Sequence, residues 1–205
     1  MNYLEFREKM FDLACFSNDQ VFAWQPGFDR NNLYRWTKNN LLVKLKQGFF
    51  TFPEYIKKPD FAFYFANRMY KPSYISLHTA LSFYGIIPEA VVQITSVTPL
   101  KTVNFNNSFA QYSYKSIKSE LMFGYDIRPI ADGRTLQIAM PEKALLDLLY
   151  LYPEYDTLQQ MENLRLDEDF LRDDINLQVM NEYLIMFNNK ALTRRLNLLY
   201  KSYGL

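Results

Sequence analysis

The chain has few of the residues on which metal enzymes and secreted proteins depend. Its 205 residues include one cysteine and one histidine. The single cysteine, Cys15, excludes an internal disulfide and fits a reducing compartment, and its apolar neighbours FDLACF favour a packed core thiol over a reactive one. No apolar run approaches the roughly 20 residues that span a bilayer, and the charged N-terminus is unlike a signal peptide. The sequence therefore predicts a cytoplasmic protein without membrane contact.

Motifs of the common hydrolase and nucleotide-binding folds are also missing. There is no Gly-x-Ser-x-Gly, no Gly-x-Gly-x-x-Gly, no phosphate-binding loop and no Cys-x-x-Cys. The only histidine, His78, has Leu77 and Leu81 as neighbours on its predicted helix, which favours a structural role, and no second histidine exists for a paired metal site. We therefore predict no enzymatic activity, no catalytic residue, no cofactor and no metal.

A nuclease is the enzyme alternative that the charged residues leave open. In this alternative, an N-terminal DNA-binding domain delivers a nuclease-like second domain to DNA. The metal-and-lysine cluster of the second domain would consist of Asp126, Asp132, Glu142 and Lys143. Glu142 directly follows Pro141, however, where an acid favours a helix N-terminus. A structural role for these residues is therefore the preferred interpretation.

A strip of positive charge is what the sequence does contain. Residues 30–53 hold five cations and no carboxylate, whereas the whole chain has a formal net charge of +1. Hydrophobic residues make up 49% of the chain and aromatic residues 17%, which is enough to bury the core of one large or two small domains. The strip is thus a local concentration of charge in a folded protein.

Residues 1–55 show the pattern of a winged helix-turn-helix DNA-binding domain. Apolar residues at helical spacing predict a first helix, and a capping box formed by Ser17 and Gln20 begins a second. Asp29 is the predicted N-cap of a third helix. Alternation in VKLK, a Gln-Gly turn and the returning FFTF predict a hairpin. Three helices followed by a hairpin is the order of a winged helix.

The third helix sorts its side chains into two faces. Leu33 and Trp36 point into the core, while residues three and four apart share the polar face. Asn and Arg match the edges of adenine and guanine in the major groove, and Lys and Tyr hold phosphates beside them. Lys44 and Lys46 of the hairpin are predicted to lie on the outer face of the wing and to reach the neighbouring backbone. The predicted DNA-binding residues are therefore Arg30, Asn31, Tyr34, Arg35, Lys38, Lys44 and Lys46.

A solvated helix face is the alternative to this interpretation, since every surface helix is polar on one side. Five cations without an acid across helix and hairpin favour binding of double-stranded DNA. A second charged stretch runs from Glu154 to Asp174 and holds eight carboxylates and two arginines. It is best explained as solvated surface, although it would also repel DNA or face a basic partner.

A connecting helix is predicted over residues 56–71. Pro59 stands at a natural first helical position, and Pro72 closes the segment. The segment is not rich in glycine or serine, so it is not expected to be a flexible linker.

Residues 72–205 are predicted to form an α+β domain. Ser76 is the predicted cap of a helix that stops at Gly85. Runs of period two, VVQITSV, TVNFNN, FAQYSYKS, LMFGYDIRP and TLQIAM, predict a small, mainly antiparallel sheet. A strongly apolar helix begins at Pro141 and further helices follow to the C-terminus. The predicted fold class of the whole chain is therefore α+β.

Several segments of this second domain resemble one family. They are PSYISLHTALSFYGIIPE, ITSVT (94–98), FGY (123–125), IAMPEKALLDLLYL (138–151), LRLD (164–167) and RRL (194–196), and in this order they resemble AbiEi-like antitoxins of type IV abortive-infection toxin-antitoxin systems. The resemblance implies an N-terminal winged helix that binds and represses its own operator, and a C-terminal domain that counters a nucleotidyltransferase-like toxin. Exposed charges are the first residues to consider for that antitoxic surface, namely Arg165, Arg194 and Arg195.

Overall fold

The computed structural model describes residues 2–89 and 91–205, and in them the chain has the predicted α+β fold. The eleven α-helices in these residues are α1 (Tyr3–Met10), α2 (Asn18–Trp24), α3 (Asn31–Lys38), α4 (Pro53–Ile56), α5 (Phe61–Met69), α6 (Leu77–Phe83), α7 (Pro141–Leu151), α8 (Leu158–Glu162), α9 (Glu168–Asp173), α10 (Leu177–Phe187) and α11 (Lys190–Tyr203). The nine strands in the same residues are β1 (Cys15–Ser17), β2 (Val43–Lys46), β3 (Phe49–Thr51), β4 (Tyr74–Ile75), β5 (Gln93–Thr98), β6 (Val103–Asn106), β7 (Gln111–Ser116), β8 (Tyr125–Pro129) and β9 (Thr135–Ala139). In the described part of the chain, none of the helices has the length and apolarity that a bilayer crossing requires.

The N-terminal region places three helices around a small antiparallel sheet. β2 and β3 form the predicted hairpin, and β1 pairs with the other side of β3. The capping box of Ser17 and Gln20 is present at the start of α2. Asp29 accepts a hydrogen bond of 2.9 Å from the backbone N–H of Asn31, the first residue of α3. β1 was not predicted, because three residues are too few to show a period.

The second sheet has six strands in the order β6-β7-β5-β4-β9-β8. Three of its neighbouring pairs are antiparallel, whereas β4 with β9 and β5 with β7 are parallel. The sheet is therefore mixed, and the prediction of a mainly antiparallel sheet was too simple. Period-two alternation indicates that a segment is a strand, but it carries no information on which strand will be its neighbour. β4 was also missed, since it has only two residues.

Helices cover both faces of this sheet. On one face, Tyr114 of β7 donates a hydrogen bond of 2.7 Å to the carbonyl of Ala66 in α5. On the other, Thr95 of β5 donates one of 2.8 Å to the carbonyl of Ser76, just before α6. Tyr114 pairs with Ser96, the neighbour of Thr95, so the two hydrogen-bonding side chains lie on opposite faces. α7 packs against α6 and completes the second layer of helices.

The segment between the two sheets differs from the single helix predicted for residues 56–71. It contains the short α4, with Pro53 in its first position, and the longer α5. Asp60 separates them in the left-handed conformation, with φ of 64°. The predicted connecting helix is thus present as α5, which begins two residues after Pro59, and the short α4 before it was not predicted. Phe61 and Phe65 of α5 are buried in a core that runs without interruption through both regions, so the segment joins them rigidly.

Candidate nucleic-acid interface

The polar face of α3 lies in solvent, as its spacing predicts. Its exposed side chains are Asn31, Tyr34, Arg35 and Lys38. Leu33 and Trp36, on the opposite side, are buried in the N-terminal core. The rings of Trp36 and Phe6 pack with their centroids 4.6 Å apart. This aromatic packing fixes the rotation of α3 about its own axis and so determines which side chains point outward.

Asn32 is a residue of this helix whose role was not predicted. Its side chain is buried, and its Oδ1 accepts a hydrogen bond from Nη2 of Arg35. A guanidinium has five N–H donors, so this contact orients Arg35 and leaves further donors for an outside acceptor. The sequence offered one signal for this contact: Asn32 and Arg35 are three residues apart, and side chains at that spacing meet on a helix surface.

Arg30 extends the cationic surface beyond the start of α3. Its guanidinium lies 4.7 Å from the centroid of the Phe22 ring in α2, which is a cation-π distance. Arg30, Tyr34 and Lys44 also line a common pocket of about 170 Å³ between α2, α3 and the hairpin. Helix and hairpin therefore present their polar side chains to one concave surface.

The two lysines of the hairpin have different environments. Lys44 is exposed. Lys46 is half-buried, and its Nζ lies 4.8 Å from the ring centroid of Phe105 in β6. The ring centroids of Phe49 and Tyr70 are each 5.8 Å from the same nitrogen. Loss of hydration in this aromatic cage lowers the pKa of Lys46. The prediction that Lys46 lies on the outer face of the wing is therefore wrong.

A β-bulge separates the two lysines in β2. Lys44 is opposite Phe50 and Lys46 is opposite Phe49, so β2 advances two residues where β3 advances one. Such a bulge breaks the strict alternation of side chains between the two faces of a strand. Here the bulge lies between Lys44 and Lys46, and the Nζ of Lys46 lies beside the ring of Phe105 in the second sheet. The alternation in VKLK did not reveal this, because a bulge depends on the partner strand.

The cations of this surface have no acidic partner within the described chain. The ion pairs found in residues 2–89 and 91–205 include none of Arg30, Arg35, Lys38 and Lys44. Elsewhere exposed arginines do find carboxylates, as Arg172 does with Glu168 at 2.7 Å. Unpaired cations on a rigid surface are suited to a polyanion, whose phosphates they neutralise.

The arginines predicted for an antitoxic surface differ in exposure. Arg165 is exposed and lies 3.0 Å from Glu89. Arg194 is exposed and donates to both carboxylate oxygens of Asp156. Arg195 is only 7% exposed, and its Nε has no hydrogen-bond partner in the described chain. Adjacent residues of a helix point about 100° apart, which places Arg195 on the packed side of α11. The prediction of Arg195 as an exposed charge is therefore wrong.

The four residues of the nuclease alternative are held by separate partners. Asp126 pairs with Arg128, and Asp132 pairs with Arg134. Glu142 accepts a hydrogen bond from the backbone N–H of Asn176, and Lys143 pairs with Asp147. In the part of the chain that the structure describes, no three His, Cys, Asp or Glu side chains are grouped to hold a metal ion. The structure does not bring these four residues together as a metal-and-lysine cluster.

A buried charged network in the second domain was not predicted. Lys143 and Asp147, one turn apart on α7, form an ion pair with both side chains fully buried. Tyr74 and Ser76 donate hydrogen bonds of 3.0 and 2.8 Å to Asp147, and Lys143 donates one of 2.8 Å to Tyr74. Burial raises the pKa of Asp147, and the Lys143 charge opposes that effect. The network ties β4 and the start of α6 to α7.

Cys15 and His78 both lie in packed surroundings. Cys15 is 1% exposed, and burial raises the pKa of its thiol to about 12, which confirms a packed core thiol. His78 is half-buried, with its Nε2 3.4 Å from the hydroxyl of Tyr155. Its ring also meets that of Tyr152 edge-on at 5.6 Å. Burial lowers the pKa of His78.

No model of a known protein family matches the chain, and no curated protein has a similar sequence. A function for the protein therefore rests on its own side chains. Among these, the unpaired cationic surface of α3 and the hairpin carries the clearest chemical preference, which is for an extended anion.

Proposed function

We propose that the protein is a DNA-binding transcriptional repressor of its own operon and the antitoxin of a type IV toxin-antitoxin system. The observation that carries DNA binding is the exposed and unpaired polar face of α3, continued by Lys44 of the hairpin. Lys46 is not part of the proposed surface, because aromatic rings enclose it.

The N-terminal region supports this proposal by its element order. A helix, a short strand, two helices and a hairpin follow one another as in a winged helix, in which the last helix enters the major groove. α3 would then be the recognition helix. Asn31 and Arg35 stand one turn apart on its exposed face and would contact base edges, while Tyr34 and Lys38 would hold phosphates. Lys44 of the hairpin would reach the adjacent DNA backbone.

The proposed antitoxin activity is supported by the resemblance of the second domain to AbiEi-like antitoxins. The expected partner is a nucleotidyltransferase-like toxin. Arg165 and Arg194 remain available for such a partner, since both are exposed and pair only with exposed or half-exposed carboxylates. No chemistry by the protein itself is proposed, because the residues of the nuclease alternative are each engaged in a separate contact.

Electrophoretic mobility shifts with the DNA upstream of the gene, against random DNA of equal length, test the repressor role. We expect clearly tighter binding to the upstream DNA at physiological salt. Equal affinity for both would contradict operator recognition. Co-expression with the product of the neighbouring gene, scored by cell growth, tests the antitoxin role, and a failure to restore growth while operator binding persists would separate the two proposals.

A further inference from the structure

A second cationic pocket lies where α5 ends beside the β8–β9 hairpin. Its volume is about 310 Å³, and it shares no lining residue with the pocket beside α3. Arg68 lies at the end of α5 and Lys71 follows it, whereas Arg134 lies in the turn directly before β9. The residues that the structure describes in the lining include three cations and no carboxylate.

The charge around this pocket is not balanced. Arg134 pairs with Asp132, which is not one of the residues that line the pocket. Arg68 and Lys71 form no ion pair with any carboxylate of residues 2–89 and 91–205. All three cations lie near Cys15, where their charges oppose the effect of burial on the thiol pKa. The charge of Arg68 also lowers the pKa of Lys71, after the larger effect of burial, and a bound anion would relieve this repulsion.

The walls of the pocket are fixed by contacts that do not involve a ligand. The Asn67 side chain donates a hydrogen bond of 3.1 Å to the carbonyl of Gln137 and accepts one of 2.6 Å from its N–H, which locks α5 onto β9. Arg134 lies over the ring of Tyr64 at 5.9 Å and donates to the carbonyl of Asp12. A site that is already formed binds a ligand without the cost of ordering its walls.

The chemistry of the lining indicates what would bind. Guanidinium and ammonium groups together suit a phosphate, which accepts several charge-assisted hydrogen bonds at once. At the rim, Ile127 is 58% exposed and offers an apolar surface to an attached organic group. Small-molecule sites in proteins have volumes of roughly 300 to 1,000 Å³. The volume of this pocket is at the lower end of that range. We propose that this pocket binds the phosphate group of a small phosphorylated molecule of nucleotide size, through Arg68 and Lys71.

This proposal does not depend on DNA binding by α3, and calorimetric titration of the full chain tests it. The probes are inorganic phosphate and adenosine monophosphate, with chloride at equal ionic strength as the reference. We expect Lys71→Gln and Arg68→Gln each to weaken binding of both probes roughly tenfold, as the loss of one charged hydrogen bond would. Lys201→Gln removes an exposed lysine of α11 outside the lining and should change nothing.

Further variants separate a direct contact from a loss of folding. Lys71→Arg keeps the charge and should retain binding, and unchanged circular dichroism and melting should accompany every variant. Ile127→Ser should weaken binding of adenosine monophosphate but not of phosphate. Equal binding by all variants, or equal heats in chloride, would overturn the proposal. A third outcome would also overturn the proposal: neither probe binds, and Lys71→Gln lowers the affinity for DNA. The pocket would then be a contact for the DNA backbone.

Discussion

α3 and α7 are both helices with several charged residues, and they use them in opposite ways. α3 turns its cations to solvent without an acidic partner in the described chain. α7 turns Glu142, Lys143 and Asp147 inward, where each has a hydrogen-bond or ion-pair partner. Both helices carry a lysine, Lys38 in α3 and Lys143 in α7, so the residue type alone does not separate an exposed charge from an architectural one. The position of the partner does: it lies inside the protein for α7, whereas the described chain offers no acidic partner to the cations of α3.

The two arrangements differ in what they contribute to stability. A buried ion pair loses the hydration of both charges, and it is tolerated only while its partners compensate that loss. Exposed cations keep their hydration and contribute little to the free energy of unfolding. Single substitutions should therefore damage folding in α7 and ligand binding in α3.

The largest effect is expected from breaking the buried pair. Asp147→Ala leaves Lys143 charged and buried, so urea denaturation should show a loss of about 3 to 5 kcal/mol in the free energy of unfolding. The double variant Lys143→Met, Asp147→Leu should recover only part of this, because Tyr74 and Ser76 then lack their acceptor. Glu168→Ala breaks the exposed pair with Arg172 and serves as the matched control.

In that control we expect a change of about 0.5 kcal/mol or less, since the pair is surface-exposed and one helical turn apart. An Asp147→Ala variant as stable as Glu168→Ala would remove the distinction between the two kinds of charge. It would mean that water or a rearranged side chain compensates Lys143 without Asp147.

A second prediction concerns base recognition by α3. Asn31→Ala and Arg35→Ala should each weaken binding to the specific operator by about 1 to 3 kcal/mol and affect random DNA much less. Fluorescence anisotropy at fixed salt measures both affinities, and Arg172→Ala provides the control for loss of a remote positive charge. Melting of the α3 variants should match that of the unsubstituted protein. Equal losses on both DNAs would reduce the role of the two residues to backbone contact.

The faces of α3 were predictable because they depend on local spacing alone. Leu33 and Trp36 differ from Arg35 by their direction around one helix, which a period of 3.6 residues determines. The helix α7 was predictable for the same reason, but the burial of its charges was not. Lys143 and Asp147 find their partners on Tyr74 and Ser76, about 70 positions away, and only the folded sheet brings them together.

The resemblance to antitoxins acquires a more limited meaning from this network. Its two longest segments include the stretches PSYIS and PEKALLD, which contain Tyr74, Ser76, Lys143 and Asp147. All four side chains are buried. These four residues therefore maintain the core, and a surface for the proposed toxin partner has to be sought among exposed residues.

A third and smaller effect should distinguish the two lysines of the hairpin. Lys44→Gln should weaken binding to every DNA alike and flatten the log-log salt dependence by about 0.9, which is the slope that neutralisation of a single phosphate contributes. Lys46→Gln should leave that slope unchanged, because the aromatic cage holds its charge away from the outer face. Titrations over a range of salt concentrations measure both slopes. Equal flattening by the two variants would show that the aromatic contacts do not keep the Lys46 charge from the DNA.

The smallest effect concerns His78, which is neither fully exposed like the cations of α3 nor paired like those of α7. Burial lowers its pKa below the ordinary 6.5, against the opposing charges of Glu154 and Glu89. The unfolded chain then binds a proton more readily than the folded one, so this residue lowers stability as the pH falls through 6.5 toward the folded pKa. His78 is the only histidine, so urea denaturation of His78→Gln and of the unsubstituted protein at pH 7.5 and 5.5 isolates its contribution. We expect the unsubstituted protein to lose more stability between these values than the variant does. Parallel losses would show that the folded environment of His78 accepts the charge as readily as water.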